Sequence, residues 1–290
     1  MRNNTNIQKM VIWLVVIAVV SLTIAAIAFF NTENYMINFR DRNNFEGNSI
    51  DEVRTFNIYQ LKEIYIHSVS SDVSVFPTDE EDIKIHFYGR SAFKSEKALP
   101  KLVTNLEGSK LKIEIEYPKV LFSWAAADVL LDIYIPRDYK DNVIIDTVSA
   151  DVDISNLDIN NFQCKTVSGD LKIKSLGSDN LTLKTTSGDV NIMNFTGNLK
   201  ADLVSGDIDV RYRVFGNNID VKTISGKVTI DLPQNADFYL KTNTVSGEVV
   251  TKFPITIISF NKMNQLEGTV GTGDNSIIID TVSGDIYINK

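Results

Sequence analysis

The chain of 290 residues has little of what enzymes and metal proteins are usually built from: one cysteine, Cys164, and two histidines, His67 and His86. A single cysteine excludes an internal disulfide framework and any multi-cysteine metal centre. Both histidines fall in the first third of the chain, so the many later serines have no nearby imidazole to act as general base. There is no P-loop, no dinucleotide fingerprint and no metal-spaced histidine cluster. Glycoside cleavage would call for a distinctive carboxylate pair, and the acids here are spread evenly rather than concentrated. Basic residues are also short, 29 against 37 acidic, and the net charge of -8 repels a phosphate backbone and argues against a nucleic-acid partner. These absences lead to the expectation of a non-enzymatic protein without a cofactor.

What the chain has in abundance is one phrase. Copies read DTVSADVDI from Asp146, KTVSGDLKI from Lys165, KTTSGDVNI from Lys184, DLVSGDIDV from Asp202, KTISGKVTI from Lys222, NTVSGEVVT from Asn243 and DTVSGDIYI from Asp280. The central serines, Ser149, Ser168, Ser187, Ser205, Ser225, Ser246 and Ser283, are separated by 19, 19, 18, 20, 21 and 37 residues. HSVSSDVSV, around Ser70 to Val75, reads as an early member, and the final long step predicts a degenerate copy between Glu248 and Asp280. Strand composition at a period of about 20 residues signals a solenoid, whose units bury their apolar face only when stacked. The expected fold is all-β, a single-stranded β-solenoid of about 19-residue rungs behind one N-terminal transmembrane helix.

That helix is expected at residues 10–30, which carry no charge and are long enough to cross a bilayer. Arg2 and Lys9 precede the run, so the positive-inside rule leaves residues 1–9 in the cytoplasm and everything after the run outside, a single-pass cell-membrane topology. A cleaved signal peptide is the competing reading, since Ala26-Ile27-Ala28 resembles a cleavage site, but the run exceeds the usual apolar core of such peptides. Residues 31–56 are polar and read as a linker. Residues 57–145 read as less regular turns of the same solenoid or a β-rich cap, with a short amphipathic turn or helix within 91–108. Residues 146–290 form the regular array.

Alternation assigns the faces. Ile145 and Thr147, Cys164 and Thr166, Leu183 and Thr185, Ala201 and Leu203, and Val221 and Thr223 share one parity before the serines, and Val152, Leu171, Val190, Ile208 and Val228 begin the next set after them. These positions face inward. Hydroxyls beside the glycine are expected inward too, bonded to one another or to the turn backbone, and Ser-Gly-Asp is read as a corner rather than a reactive site. Cys164 is expected to be a buried, inert thiol. Tyr212, Phe215, Phe238, Tyr239, Phe253 and Phe260 are expected to fill the core and close its C-terminal end.

Two rows remain as candidate sites. Asp151, Asp170, Asp189 and Asp207 recur at one position, followed by Lys227, Glu248 and Asp285. Stacked carboxylates form either a calcium ladder, which would make the protein a calcium-stiffened spacer, or a solvated row whose acids accept backbone amides. Immediately before each serine lie Val148, Val167, Val204, Ile224, Val245 and Val282, with Thr186 in the remaining copy. A solvent-facing row of β-branched side chains is a candidate contact surface.

The repeated T-V-S-G-D-[IV]-x-[IV] phrase behind one apolar segment resembles a bacterial family of β-strand-repeat proteins known as "putative adhesins", a domain of unknown function. It is also similar to membrane-anchored members encoded with the cell-envelope stress system that answers lipid-II-cycle antibiotics. The resemblance covers about residues 58–290 and is strongest from Asp146. It implies a β-solenoid, a surface or envelope role and no catalytic residues; the expected partner is an envelope protein or cell-wall polymer, and the alternatives to a binding scaffold are the calcium-stiffened spacer and, after it, a polysaccharide-active β-helix enzyme.

Overall fold

A computed structural model describes residues 48–91, 98–118, 127–260 and 264–290. Glu46–Lys290 is one compact unit. The apolar run 10–30, and with it the expected membrane anchor, lies outside the described residues, among which no helix is long and apolar enough to cross a membrane.

The described chain is all-β, and its strands join in one hydrogen-bonded sheet of 22 strands folded into two facing layers. In the regular part each repeat supplies one strand to each layer. The strands leading to the repeat serines are β8 (Asn142–Thr147), β10 (Leu157–Ser168), β12 (Leu176–Ser187), the second half of β13 (Val190–Ser205) and β15 (Ile219–Ser225). They stack in parallel, with Cys164 beside Ile145 and Leu183, and Ala201 beside Leu183 and Val221. After each corner come β9 (Val152–Ile154), β11 (Leu171–Ile173), the first half of β13, β14 (Ile208–Tyr212) and β16 (Val228–Asp231), also parallel. Asn156 and Asn194 turn the opposite corner with φ near 50°, a left-handed conformation that asparagine tolerates.

The assigned parity holds for the apolar positions. Ile145, Cys164, Leu183, Ala201 and Val221 are at most 2% exposed, and they face Val152, Leu171, Val190, Ile208 and Val228 across a dry interior. Each fully buried Val, Leu or Ile contributes about 1.5–3 kcal/mol relative to exposure. Cys164 is free and buried, and burial pushes its thiol up to about 12, with Asp146 adding to the shift. An edge-to-face row of aromatics carries the core toward the C-terminus: Phe195 on Tyr212, Tyr212 on Phe215, Phe215 on Phe238 and Phe238 on Phe253.

At both ends the expected order of rungs changes. The last repeat, β21 (Ser276–Ser283) and β22 (Ile286–Asn289), does not stack outermost. It inserts between β15–β16 and the preceding repeat, β17 (Phe238–Ser246) and β18 (Val249–Thr251). The segment expected to hold a degenerate copy is instead an antiparallel hairpin, β19 (Thr256–Phe260) and β20 (Gln265–Val270), which caps β17. The N-terminal end repeats the device. The rung of β2 (Glu63–Ser68) and β3 (Asp72–Thr78) lies between β8–β9 and the later strands β6 (Lys110–Glu116) and β7 (Ala127–Pro136). Antiparallel β5 (Lys101–Glu107) covers β6, and β4 (Asp82–Ser91) covers β7 and carries β1 (Asn48–Asn57) at its edge. Two expectations are corrected here. Residues 48–56, assigned to the linker, form most of β1, and residues 101–107, within the span expected to hold a turn or helix, are a strand.

Candidate functional site: ladders along the solenoid

The Ser-Gly-Asp corner is built by three stacked rows. The first is glycine. Gly169, Gly188, Gly206, Gly226, Gly284 and Gly247 all have φ between 122° and 157°, and at Gly206 a Cβ would stand 2.1 Å from the carbonyl oxygen of Gly188 one rung away. Conformation and contact both exclude a side chain. Ala150 opens the row without a positive φ, which explains why alanine is accepted there.

The second row is aspartate. Asp151, Asp170, Asp189 and Asp207 each use one carboxylate oxygen to accept the backbone amide of the equivalent residue in the next rung, at 2.8, 2.9, 2.8 and 2.8 Å. Asp72 does the same for Asp151 at 2.9 Å and Asp285 for Glu248 at 3.0 Å. The carboxylates thus complete the ladder where the corner interrupts backbone pairing, as corner aspartates do in turns. Lys227, which breaks the row, places its ammonium 3.8 Å from Asp207. Among the described residues no group of three or more His, Cys, Asp or Glu side chains is gathered to hold a metal ion.

The third row is threonine. Thr166, Thr185 and Thr223 donate to the carbonyls of Ser168, Ser187 and Ser225, and Thr244 donates to Gly284. This is the expected bonding to the turn backbone. The repeat serines depart from expectation: Ser149, Ser168, Ser187, Ser205, Ser225, Ser246 and Ser283 are exposed, because the strand turns outward on entering the corner and uses the serine carbonyl rather than the hydroxyl. Among the described residues no serine hydroxyl is bonded to either histidine: His86 meets Asp51 at 2.8 Å, and His67 sits in register with Asp146.

Next to the serines runs the β-branched row. In space it reads Val148, Val167, Thr186, Val204, Ile224, Val282, Val245, since Ser283 lies between Ser225 and Ser246. Val167 is 48% exposed and Val245, on the outermost rung, 69%. Val148 and Val282 are also exposed, while Val204 and Ile224 are half-buried. The sequence-derived row is therefore one continuous line along a corner.

A further ladder was not recognised in the sequence. Asn142, Asn161, Asn180 and Asn198 stack across the first-layer strands, the amides of Asn161, Asn180 and Asn198 each donating to the oxygen of the one before, at 2.8, 2.9 and 3.3 Å. Asn198 accepts the amide of Asn218, and Asn218 accepts the amide of Ser276. These asparagines recur at 19, 19, 18 and 20 residues, the same steps as the serines, and that shared period was the signal that could have found them.

A two-layer parallel solenoid with antiparallel caps is a repeat scaffold. The chain belongs to the Toastrack DUF4097 family, whose model matches twice in overlapping windows, residues 61–192 and 140–289. No curated protein matches it. Among solved structures it is similar to a "putative cell adhesion protein" from Clostridium sporogenes, at 14% identity and TM-score 0.39, covering 83% of this chain and 99% of that one. A "putative adhesin" from Bacteroides fragilis matches at 13% identity and TM-score 0.45, over 83% and 97% of the two chains. A "putative lipid binding protein" from Parabacteroides distasonis matches at 16% identity and TM-score 0.37, over 84% and 98%.

Proposed function

We propose that this protein is a non-enzymatic binding scaffold of the bacterial cell envelope, held at the membrane by residues 10–30 and presenting its solenoid on the extracytoplasmic side. The observation that carries the reading is the line of β-branched side chains from Val148 to Val245, of which Val148, Val167, Val245 and Val282 are exposed on a corner of the solenoid and Thr186, Val204 and Ile224 half-buried. A repeat array holds such a line straight and at fixed spacing, which suits contact with an extended partner or a flat protein surface. The resemblance to members encoded with an envelope stress system favours an envelope protein as that partner.

The reading is tested in cells by crosslinking the intact protein and comparing it with the triple variant Val167→Asp, Val204→Asp and Ile224→Asp. The expected result is loss of the crosslinked envelope partner with unchanged membrane fractionation and an unchanged melting temperature. Retention of the partner in full by the folded variant would contradict the assignment of this row. Protease added to intact cells is expected to digest the solenoid and spare residues 1–9; protection of the solenoid would overturn the topology.

A further inference from the structure

The outer face of the first layer carries a shallow trough that none of the corner rows explains. Its two adjoining parts enclose about 290 and 390 Å³ and share Asn180 and Thr182, so they form one channel from Glu63 to Ser276, crossing the strands along the solenoid axis. The floor is the middle outward position of each strand: Ile144, Gln163, Thr182, Lys200, Asp220 and Ile278 are successive register partners. On one side stands the asparagine ladder. Two positions further along the same strands, beyond the residues that line the trough, come Asp146, Lys165, Lys184, Asp202, Lys222 and Asp280, again in register, three acids and three bases.

The chemistry of this trough selects a class of ligand. Among the described residues Gln163 and Thr182 form no side-chain hydrogen bond, leaving an amide and a hydroxyl in the middle of the floor, and in the wall Asn161 and Asn180 each spend one of two amide hydrogens on a neighbour, while Asn198 spends both. Ile144 and Ile278, outward-facing yet half-buried, give the floor an apolar platform toward either end. Amides and hydroxyls beside small apolar platforms fit a ring that has hydroxyls on its edge and C–H groups on its face. The rungs repeat about every 4.8 Å, whereas an extended peptide laid along them would advance about 3.3 Å per residue and fall out of step. The charged residues of the lining are Lys200, Asp220 and Glu63, and with the overall charge of -8 they do not favour a polyanion.

We infer that this trough is a binding site for an extended, uncharged polysaccharide strand lying along the solenoid axis, with successive sugars meeting successive rungs. The inference rests on the scaffold reading only in that the strand is held and not cleaved, and it uses residues separate from the β-branched row on the corner.

The test is calorimetric titration of the full chain in detergent with β-1,4-linked N-acetylglucosamine di-, tetra- and hexasaccharides. Affinity is expected to rise about tenfold or more from the disaccharide to the hexasaccharide as further rungs engage. Thr182→Arg and Gln163→Arg each fill the floor with a side chain pointing to solvent and are expected to weaken hexasaccharide binding at least about tenfold at unchanged melting temperature. The Val167→Asp, Val204→Asp, Ile224→Asp variant is expected to bind the hexasaccharide as the parent does, which separates this site from the corner contact. Absence of binding by every oligomer, affinity independent of length, or full binding by both arginine variants would overturn the inference. Tighter binding of a polyphosphate or an extended peptide than of the hexasaccharide would overturn the assignment to an uncharged glycan.

Discussion

Between residues 142 and 231 the chain lays down rungs in the order in which it is written, and at its two ends it does not. In the middle every neighbour lies about one period away in sequence, so each rung is completed by local contacts and stacking can propagate. At the C-terminal end the chain runs past its position, builds the outer rung, folds an antiparallel cap and returns to fill the gap, β21 entering between β15 and β17; at the N-terminal end the order is mirrored, the inner rung β2–β3 being laid down first and the outer rung β6–β7 after it. The difference shows how a parallel solenoid finishes. An unpaired parallel edge is a template for association, and it is met here by antiparallel strands β4 and β5 at one end and by β20 at the other. Contacts of long sequence separation are concentrated where closure is needed.

The comparison is broken most strongly at the aromatic row that ties the middle to the C-terminal end. Phe238 is fully buried and meets Phe215 and Phe253 edge-on. Phe238→Ala is expected to cost about 3–5 kcal/mol. Hydrogen exchange should then accelerate in β17 to β22 while β8 to β12 keep their protection; uniform loss would mean that the two regions unfold as one.

Gly206→Ala strikes the regular region instead. It forces a side chain into a backbone at φ +122° and against a fixed carbonyl, with an expected cost of about 3 kcal/mol in denaturant unfolding. Ala150→Gly, at the head of the same row, is expected to change stability by no more than about 1 kcal/mol.

A smaller effect is expected from the aspartate row. Asp189→Ala leaves the amide of Asp207 without its acceptor and is expected to cost about 1 kcal/mol, while Asp189→Asn retains an acceptor and costs less. If the row holds the corner through backbone amides, the melting temperature of the parent is the same in calcium and in chelator.

The smallest effect concerns the loop that returns the chain to β21. Asp237 accepts the amides of Thr272, Gly273 and Asp274 and the Thr272 hydroxyl. The Thr272 amide contributes most to holding its carboxyl below the ordinary value of 3.8. A depressed folded value means that the stabilisation is complete above pH 3.8 and is lost as pH falls through the lower folded value. Asp237→Asn should therefore flatten the acid limb of the stability profile below that pH and leave its shape near neutrality unchanged.

The middle was legible because two independent periods agree there. The Ser-Gly step placed the rungs, and alternation of two placed Ile145, Cys164 and Leu183 in the core. The serines broke parity because a corner reorients the strand entering it, which alternation alone does not register. The candidate β-branched row was legible as positions, but its order was not, since Ser283 follows Ser246 in sequence and precedes it in space. A period gives the length of a rung and says nothing about which rung lies beside it. Composition likewise failed to separate the capping hairpin from a repeat, because residues 256–260 read TIISF and suit either; only the adjacent isoleucines Ile257 and Ile258, both exposed, depart from alternation. The asparagine ladder was overlooked because asparagine at a strand start reads as turn chemistry, although its spacing matched the serines.

The exchange of rungs at the C-terminus is tested most directly by paired cysteines in a Cys164→Ser background. Thr229 is in register with Tyr287, and Tyr287 with Val250, so Tyr287 lies between the other two. Neighbouring strands stand about 4.8 Å apart, within the Cα range of a disulfide, and strands two apart do not. Oxidation is predicted to join Thr229→Cys to Tyr287→Cys and to leave the Thr229→Cys, Val250→Cys pair reduced. Efficient closure of the second pair with none of the first would place the rungs in sequence order and contradict the architecture.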